Sequence, residues 1–524
     1  MLNLLNLKSF YNDKIDGIKK RQSNGYSFIQ SFKVLREIDR YEMYNFNHKD
    51  VNKCVRKYHI KSVIDYNNNQ KLIQNAINEL KKIYIFLNAN KYDDKATNKS
   101  YFVIKPQSQE SIMKNIEFIS FKHSNNSDLD QVKHEEVSKL LIEKELAENV
   151  DYSNNLFWKM IFVKIGSTDS NCFLYDLIFS VHHSISEERA NYKVMMRFLD
   201  IIDMIYNKSY DFSKSKEFKM MPSISEVLQE MPNLMKSNEH LPLFKKPSLF
   251  DSKSKPESSI DNLTLNNVNN FEIWCEKSNK LFISIQDLAK ISQSNKSKFI
   301  FSEIDCNNFN SLIKLCKFHN INITSCLSLI SAQALKIVYL DNHIYRPISY
   351  NTIISPRNFI INSPNFKNEY DYNNMGYFLT ENYNVASFNN ANVVHSDYQD
   401  FNDYFLTMCK EKTNQLNSSI KELTFNAVTD CNDFSPNNPH FYIDLIISNI
   451  GKLPKIKSKH DSQEILKADV AGTCESNYFF TFNAFYSTKE HVGFNIFYNN
   501  EFVDKQIVKN YIKNFKIILE KLVN

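Results

Sequence analysis

Two adjacent histidines, His182 and His183, stand in the stretch LIFSVHHSISEERANYKVMM, residues 177–196, between an apolar run and a pattern of helical period. Imidazole has an ordinary pKa near neutrality, so a positioned histidine can take up and return a proton at operating pH. The preceding FLYDLIFSV is long enough for a buried strand. Ser186 suits a helix N-cap, and Glu187 and Glu188 fall in the first turn, where carboxylates meet the positive end of the helix dipole. The pair thus sits at a strand-to-helix junction, a place that often presents side chains into a cleft. Neighbouring residues on an extended chain point to opposite faces, so at most one imidazole faces a substrate. On spacing alone, two hydrogen-bonded interior imidazoles at a strand end remain the alternative.

The elements around the pair are a mixture of strands and helices. LFWKMIFVKI and NCFLYDLIFSV read as a strand pair, the second leading into the histidines. KYHIKSVIDY, SYFVIKP and NIEFISF read as further strands. NQKLIQNAINELKKIYIF carries Leu72, Ile73, Ala76, Ile77, Leu80 and Tyr84 on one helical face, and HEEVSKLLIEKELAENV reads as an amphipathic helix with a solvated charged face. Between residues 207 and 296 the character changes, with Pro222, Pro232, Pro242, Pro247 and Pro256 among Ser, Asn and Lys. This stretch reads as a connection with short helical pieces, dividing an N-terminal lobe (1–206) from a C-terminal lobe (297–524). The second half opens with the strand KFIFSEID and continues with helices over 308–318 and 324–339. The strands YRPISYNTIIS and FYIDLIISNIG follow, then a hairpin from NYFFTFNAFYS and HVGFNIFYN. A last amphipathic helix carries Val508, Ile512, Phe515, Ile518 and Leu519.

SVHHSISEERA resembles the H-H-x-x-x-D-G signature of the condensation-domain and alcohol-acetyltransferase group, whose fold is chloramphenicol-acetyltransferase-like. FKVLREIDRYEMY resembles the opening segment of that group and LFWKMIFVK the strand before its motif. FIFSEIDCNNFNSLIKLCKFHNINITSCLSLISAQAL resembles the start of its second lobe. TIISPRNF resembles the strand carrying an Arg, MGYF the Gly turn after it, and DLIISNIGKL the S-N-x-G strand near the lobe interface. The resemblance runs from Phe32 to Leu522. It implies an α/β (α+β) fold of two lobes, each a mixed sheet flanked by helices, with a tunnel between them.

What the resemblance implies about chemistry is acyl transfer. His183 is the expected general base, taking the proton of an acceptor alcohol or amine that attacks a thioester; His182 supports the loop. Acyl-CoA is the expected co-substrate, with no permanently bound cofactor and no metal. The motif carboxylate is expected to be structural and to pair with an Arg of the second lobe. Here Glu187 holds that place and Arg357 matches the partner, with about 1.5 Å of extra reach over Asp. Glu188 replaces the Gly, adding bulk and charge; either it turns to solvent or the site is altered. Ser448 and Asn449 are candidate donors to an oxyanion, with Gly451 allowing the turn, and satisfied polar groups at a strand end are the alternative. A condensation-type enzyme using carrier-protein thioesters, and a fold kept for binding alone, are the other readings.

Composition limits the partners. A formal net charge of +5 over 524 residues is mild, and the densest basic run, Lys19-Lys20-Arg21, has no interleaved aromatics, so nucleic acid is not an expected partner. The slight positive bias suits an anionic small molecule. The nine cysteines form no C-x-x-C, and no P-loop, G-x-G-x-x-G or G-x-S-x-G occurs. The remaining histidines, such as His319, His440 and His491, have no partner at metal-ligand spacing. A short apolar start without a basic region, and no apolar run near the ~18–20 residues of a membrane span, give the expectation of a cytoplasmic, monomeric protein.

Overall fold

A computed structural model describes residues 32–39, 42–43, 46, 53–105, 112–123, 131–148, 150–168, 172–214, 222–223, 226, 271–275, 280–342, 344, 347–354, 380–386, 398–422, 426–427, 444–453, 457–473, 481–488 and 490–524. In chain order the first half holds β1 (Lys33–Glu37), β2 (Lys53–Ser62), α1 (Gln70–Ile83), β3 (Ala89–Asp94), β4 (Lys99–Ile104) and β5 (Ile116–His123). It continues with α2 (Gln131–Ala147), β6 (Trp158–Ser167), β7 (Phe173–His182) and α3 (Glu188–Tyr206). Next come β8 (Phe271–Cys275), β9 (Lys280–Ser284), α4 (Ile285–Ser294), β10 (Ser297–Ile304), α5 (Cys306–Phe318) and α6 (Ile323–Asp341). The chain closes with β11 (Ile348–Ile354), β12 (Thr380–Ala386), α7 (Tyr398–Glu422), β13 (Asn426–Ala427), β14 (Leu445–Lys452), β15 (Gln463–Gly472), β16 (Thr481–Ser487), β17 (Val492–Asn499) and α8 (Lys505–Val523).

These strands form two seven-stranded mixed sheets, ordered β15-β2-β7-β6-β5-β8-β9 and β10-β17-β16-β14-β11-β12-β13, and a three-stranded sheet β1-β4-β3. Strand β7 is central in the first sheet, antiparallel to both β2 and β6. With neighbours on both edges and layers on both faces, it is an almost unbroken apolar run that ends at His182. One face is covered by α1 and α3, whose stripes of Ile73, Ala76, Ile77 and Leu80 and of Met195, Phe198, Leu199 and Ile202 enter one core. The second sheet carries α5, α6 and α8 over a core that includes Leu329, Phe485, Phe494 and Phe515. A third cluster joins the sheets: Val55, Ile161 and Val470 of the first meet Phe299, Ala484 and Phe497 of the second, beside Val137 and Leu141 of α2.

Two segments sit elsewhere than their place in the chain suggests. The 207–296 stretch, read as a connection with helical pieces, supplies β8 and β9 to the far edge of the first sheet. Those strands are five residues each, and apolar runs that short are hard to see between Ser/Asn-rich segments. Strand β15, from within the second half, pairs with β2 instead of with its sequence neighbours. Helix α6 is 19 residues long and apolar enough to span a membrane by length and composition, although no apolar run of that kind is expected from the sequence. It lies mostly buried in the second core, where apolarity on every side is what packing requires.

Candidate active site

The chain turns sharply after β7. His183–Ile185 form one 3₁₀ turn, Ser186 returns to extended backbone, Glu187 is the N-cap of α3, and the helix begins at Glu188. The backbone N–H of His182 bonds to the Phe157 carbonyl at 2.7 Å, so the strand stays registered to its last residue. The two histidines then part. His182 is buried, stacked on Phe46 with ring centroids 4.6 Å apart, with the Tyr152 ring edge-on at the same distance. Its Nδ1 accepts the Ser184 N–H at 3.3 Å and lies 2.7 Å from the Ser184 hydroxyl. Burial first, then the neighbouring His183, Lys53 and Lys91, hold its pKa well below the ordinary 6.5. Beside it a cavity of about 190 Å³ is lined by Lys53, Tyr152, Trp158, Ser180 and His182; its lining does not include His183.

His183 is partly exposed, and its Nδ1 lies 2.8 Å from the Ser186 carbonyl oxygen. A carbonyl can only accept, so Nδ1 carries the proton and a neutral His183 keeps its lone pair on Nε2. The same contact closes a small ring, because the Ser186 N–H returns to the His183 carbonyl at 3.4 Å. His182, accepting at Nδ1, has the opposite tautomer when neutral. The two neighbours thus differ in exposure, tautomer and surroundings.

Glu188 neither turns to solvent nor faces His183. One carboxylate oxygen lies 2.5 Å from Nη2 of Arg56, a guanidinium with no exposed surface, and the other accepts from the Cys54 thiol. Burial opposes the charge on Arg56, but Glu188 outweighs it and the pKa stays raised. The Cys54 thiol is pushed up by burial and by the Glu188 charge. Asn191, one turn into α3, donates from Nδ2 to Cys54 Sγ at 3.5 Å and accepts from the Ser186 hydroxyl at Oδ1. Glu187 is buried at the N-cap and makes no side-chain capping bond; Arg357, its expected partner, lies outside the described residues.

On the other side of the lobe seam, Ser448 is buried in β14 between β11 and β16. Asn449 donates from Nδ2 to the Thr324 hydroxyl at 2.9 Å, and its Oδ1 accepts the Gly451 N–H at 3.1 Å, tying the strand end to α6. Gly451 has φ +81°, a left-handed conformation that side chains with a Cβ rarely adopt, at a bulge in the β14–β16 register. Ile354 and Ile450 pack against the first core, so β11 and β14 end against the lobe that carries His183.

Sequence reasoning missed Arg56, Cys54 and Asn191. A signal existed for the first: an arginine inside the buried strand KCVRKYHIKS requires a charged partner. Which partner is decided by α3 crossing over β2, which no local pattern encodes.

By sequence, no family model and no curated protein matches the chain. Its structure is similar to that of the TRI3 trichothecene 15-O-acetyltransferase from Fusarium sporotrichioides, at 10% identity and TM-score 0.61, covering 96% of this chain and 97% of that one. The condensation domain of the monacolin K polyketide synthase MokA aligns over 94% of this chain and 98% of its own, at 10% identity and TM-score 0.55. The polyketide synthase associated protein 5 from Mycobacterium tuberculosis aligns over 93% and 98%, at 10% identity and TM-score 0.54. The chain thus has the two-lobed chloramphenicol-acetyltransferase-like fold of condensation domains and the trichothecene acetyltransferase.

Proposed function

We propose that the protein is an acyltransferase that moves an acyl group from an acyl-CoA thioester to an alcohol or amine, with His183 as general base. The observation that carries this reading is the partly exposed imidazole whose Nδ1–H is held by the Ser186 carbonyl, leaving Nε2 as the basic atom. Nε2 takes the proton of the acceptor O–H or N–H as that atom bonds to the thioester carbonyl carbon. The tetrahedral intermediate expels the thiolate, and the imidazolium returns its proton to the sulfur. Ser448 and Asn449 are the proposed donors to the oxyanion. One Asn449 N–H is engaged with Thr324, and a carboxamide nitrogen has a second. Glu188, committed to Arg56 and Cys54, is not a substitute base.

The likeness to condensation domains supports a second donor class, a carrier-protein thioester. One experiment separates the readings: thiol release from a panel of acyl-CoA and carrier-bound donors, with and without alcohols and amines, for wild type and His183→Ala. The expected result is release from free CoA thioesters that falls about 10²–10⁴-fold in His183→Ala, the contribution of a positioned base. Release from carrier-bound donors alone would select the carrier reading. Equal turnover by both proteins would remove His183 from the chemistry, and no release from any donor by wild type would leave a binding role.

A further inference from the structure

The acceptor that orients His183 is itself held in place. Ser186 is fully buried: its carbonyl takes the His183 Nδ1–H, and its N–H returns to the His183 carbonyl at 3.4 Å. Its hydroxyl donates to Asn191 Oδ1 and lies 3.3 Å from the Glu187 carbonyl. Asn191 is buried as well, and a buried carboxamide that loses a partner leaves a costly orphan. Its amide group reaches Cys54 Sγ at 3.5 Å, and the Cys54 thiol donates to Glu188, which is paired with Arg56. The Asn191 backbone N–H bonds to the Glu187 carbonyl at 3.0 Å, so the residue sits in the first full turn of α3 and reaches back across the N-cap. The chain of contacts runs from the imidazole through Ser186, Asn191 and Cys54 to an ion pair under the helix.

We propose that Asn191 is a positioning residue for His183, fixing the Ser186 carbonyl that sets the tautomer and orientation of the imidazole. Its effect on rate rests on the acyltransferase reading; its effect on the imidazole does not. Without the Asn191 carboxamide the Ser186 hydroxyl keeps only its longer bond to the Glu187 carbonyl at 3.3 Å, and the peptide carrying the accepting carbonyl loses its bond to α3. The His183 ring then samples both tautomers, and the fraction with a lone pair at Nε2 falls. A displacement of about 1 Å in such a group is enough for large losses in rate.

The test uses the full chain with ¹⁵N-labelled histidine, comparing wild type, Asn191→Ala, Ser186→Ala and the double variant. The His183 signals are assigned by their loss in His183→Gln. In wild type the ring nitrogens of neutral His183 should report the Nδ1–H tautomer. In Asn191→Ala and in Ser186→Ala that signature should shift toward a mixture, and the double variant should resemble the singles because both remove one contact. Turnover, read in the same proteins, should show kcat lower by about 10- to 100-fold with KM little changed. Wild-type ring signals in folded Asn191→Ala and Ser186→Ala would overturn the proposal. A shifted tautomer in a protein without transferase activity would keep Asn191 as the positioning residue and discard the acyltransferase reading. If Asn191→Ala does not fold, Ser186→Ala alone decides, since it removes the hydroxyl and keeps the carbonyl.

Discussion

Two residues with identical side chains and consecutive numbers are held in opposite tautomers by their hydrogen-bond partners. His182 ends β7 and points into an aromatic cage of Phe46, Tyr152 and Phe157. His183 begins the turn and is partly exposed. Burial depresses the pKa of His182 well below 6.5, so the folded state binds fewer protons there than the unfolded chain. Its contribution to stability is therefore complete above the unfolded value near 6.5 and is lost as pH falls toward the folded value. Replacing His182 by Asn, whose Oδ1 can still accept from the Ser184 N–H, should make stability less dependent on pH below 6.5. The slope should fall by up to about 1.4 kcal/mol per pH unit. Urea denaturation of both proteins at pH 7, 6 and 5 checks this, and parallel profiles would refute it.

At the scale of elements, the decisive contact is α3 lying over β2. Alternation along β2 puts Cys54, Arg56 and Tyr58 on one buried face, and the N-terminal turn of α3 brings Glu188 onto the first two. The helix start is thereby anchored twice, by the dipole's preference for a carboxylate in its first turn and by a buried guanidinium. Removing one partner of such a pair leaves an uncompensated charge. Glu188→Gln should destabilise the protein by about 3–5 kcal/mol, while the double change Arg56→Met with Glu188→Leu should lose much less or even gain. Thermal unfolding of the single and double variants tests the pair. Equal losses in both would mean that shape, not charge, is what Glu188 supplies.

At the scale of the whole molecule, the lobes are joined by chain exchange and by a polar seam. Strand β15 leaves the second half to pair with β2, and its Asp469 receives Lys57 of β2 at 3.3 Å and the Tyr486 hydroxyl of β16 at 3.0 Å. The phenol also meets His491 Nε2 at 3.1 Å, and Lys467 of β15 bonds to Glu303 of β10 at 2.6 Å. Tyr486 reaches across because its cross-strand partner is Gly493; a Cβ there would overlap the Tyr486 ring. Gly493→Ala should therefore cost about 1–3 kcal/mol of stability by overpacking. Tyr486→Ala should be less damaging in that background than in wild type, because it removes the ring that the new Cβ overlaps. Strictly additive losses in the four-protein cycle would disprove the coupling.

Most of the long elements are legible in local patterns of the sequence. Apolar runs and helical periodicity marked β6, β7, α1, α5, α6 and α8, and the polar junction after β7 marked His182 and His183, because these signals depend on residues within a few positions of one another. Segment α2 is a helix, but the charged face read as solvated buries Glu143 and Glu145. The sequence also carried the likeness to the two-lobed fold. The tertiary structure alone decided what depends on distant segments meeting. The short strands β8 and β9 could join the first sheet only where β5 offered an edge, and β15 could cross to β2 only because the lobes abut. Glu188 could point under its helix only because Arg56 lies 132 positions earlier on the strand beneath it. An isolated glutamate after a histidine pair reads as charge near a site. A glutamate over a buried arginine is an anchor, and the difference lies in desolvation, which only packing sets.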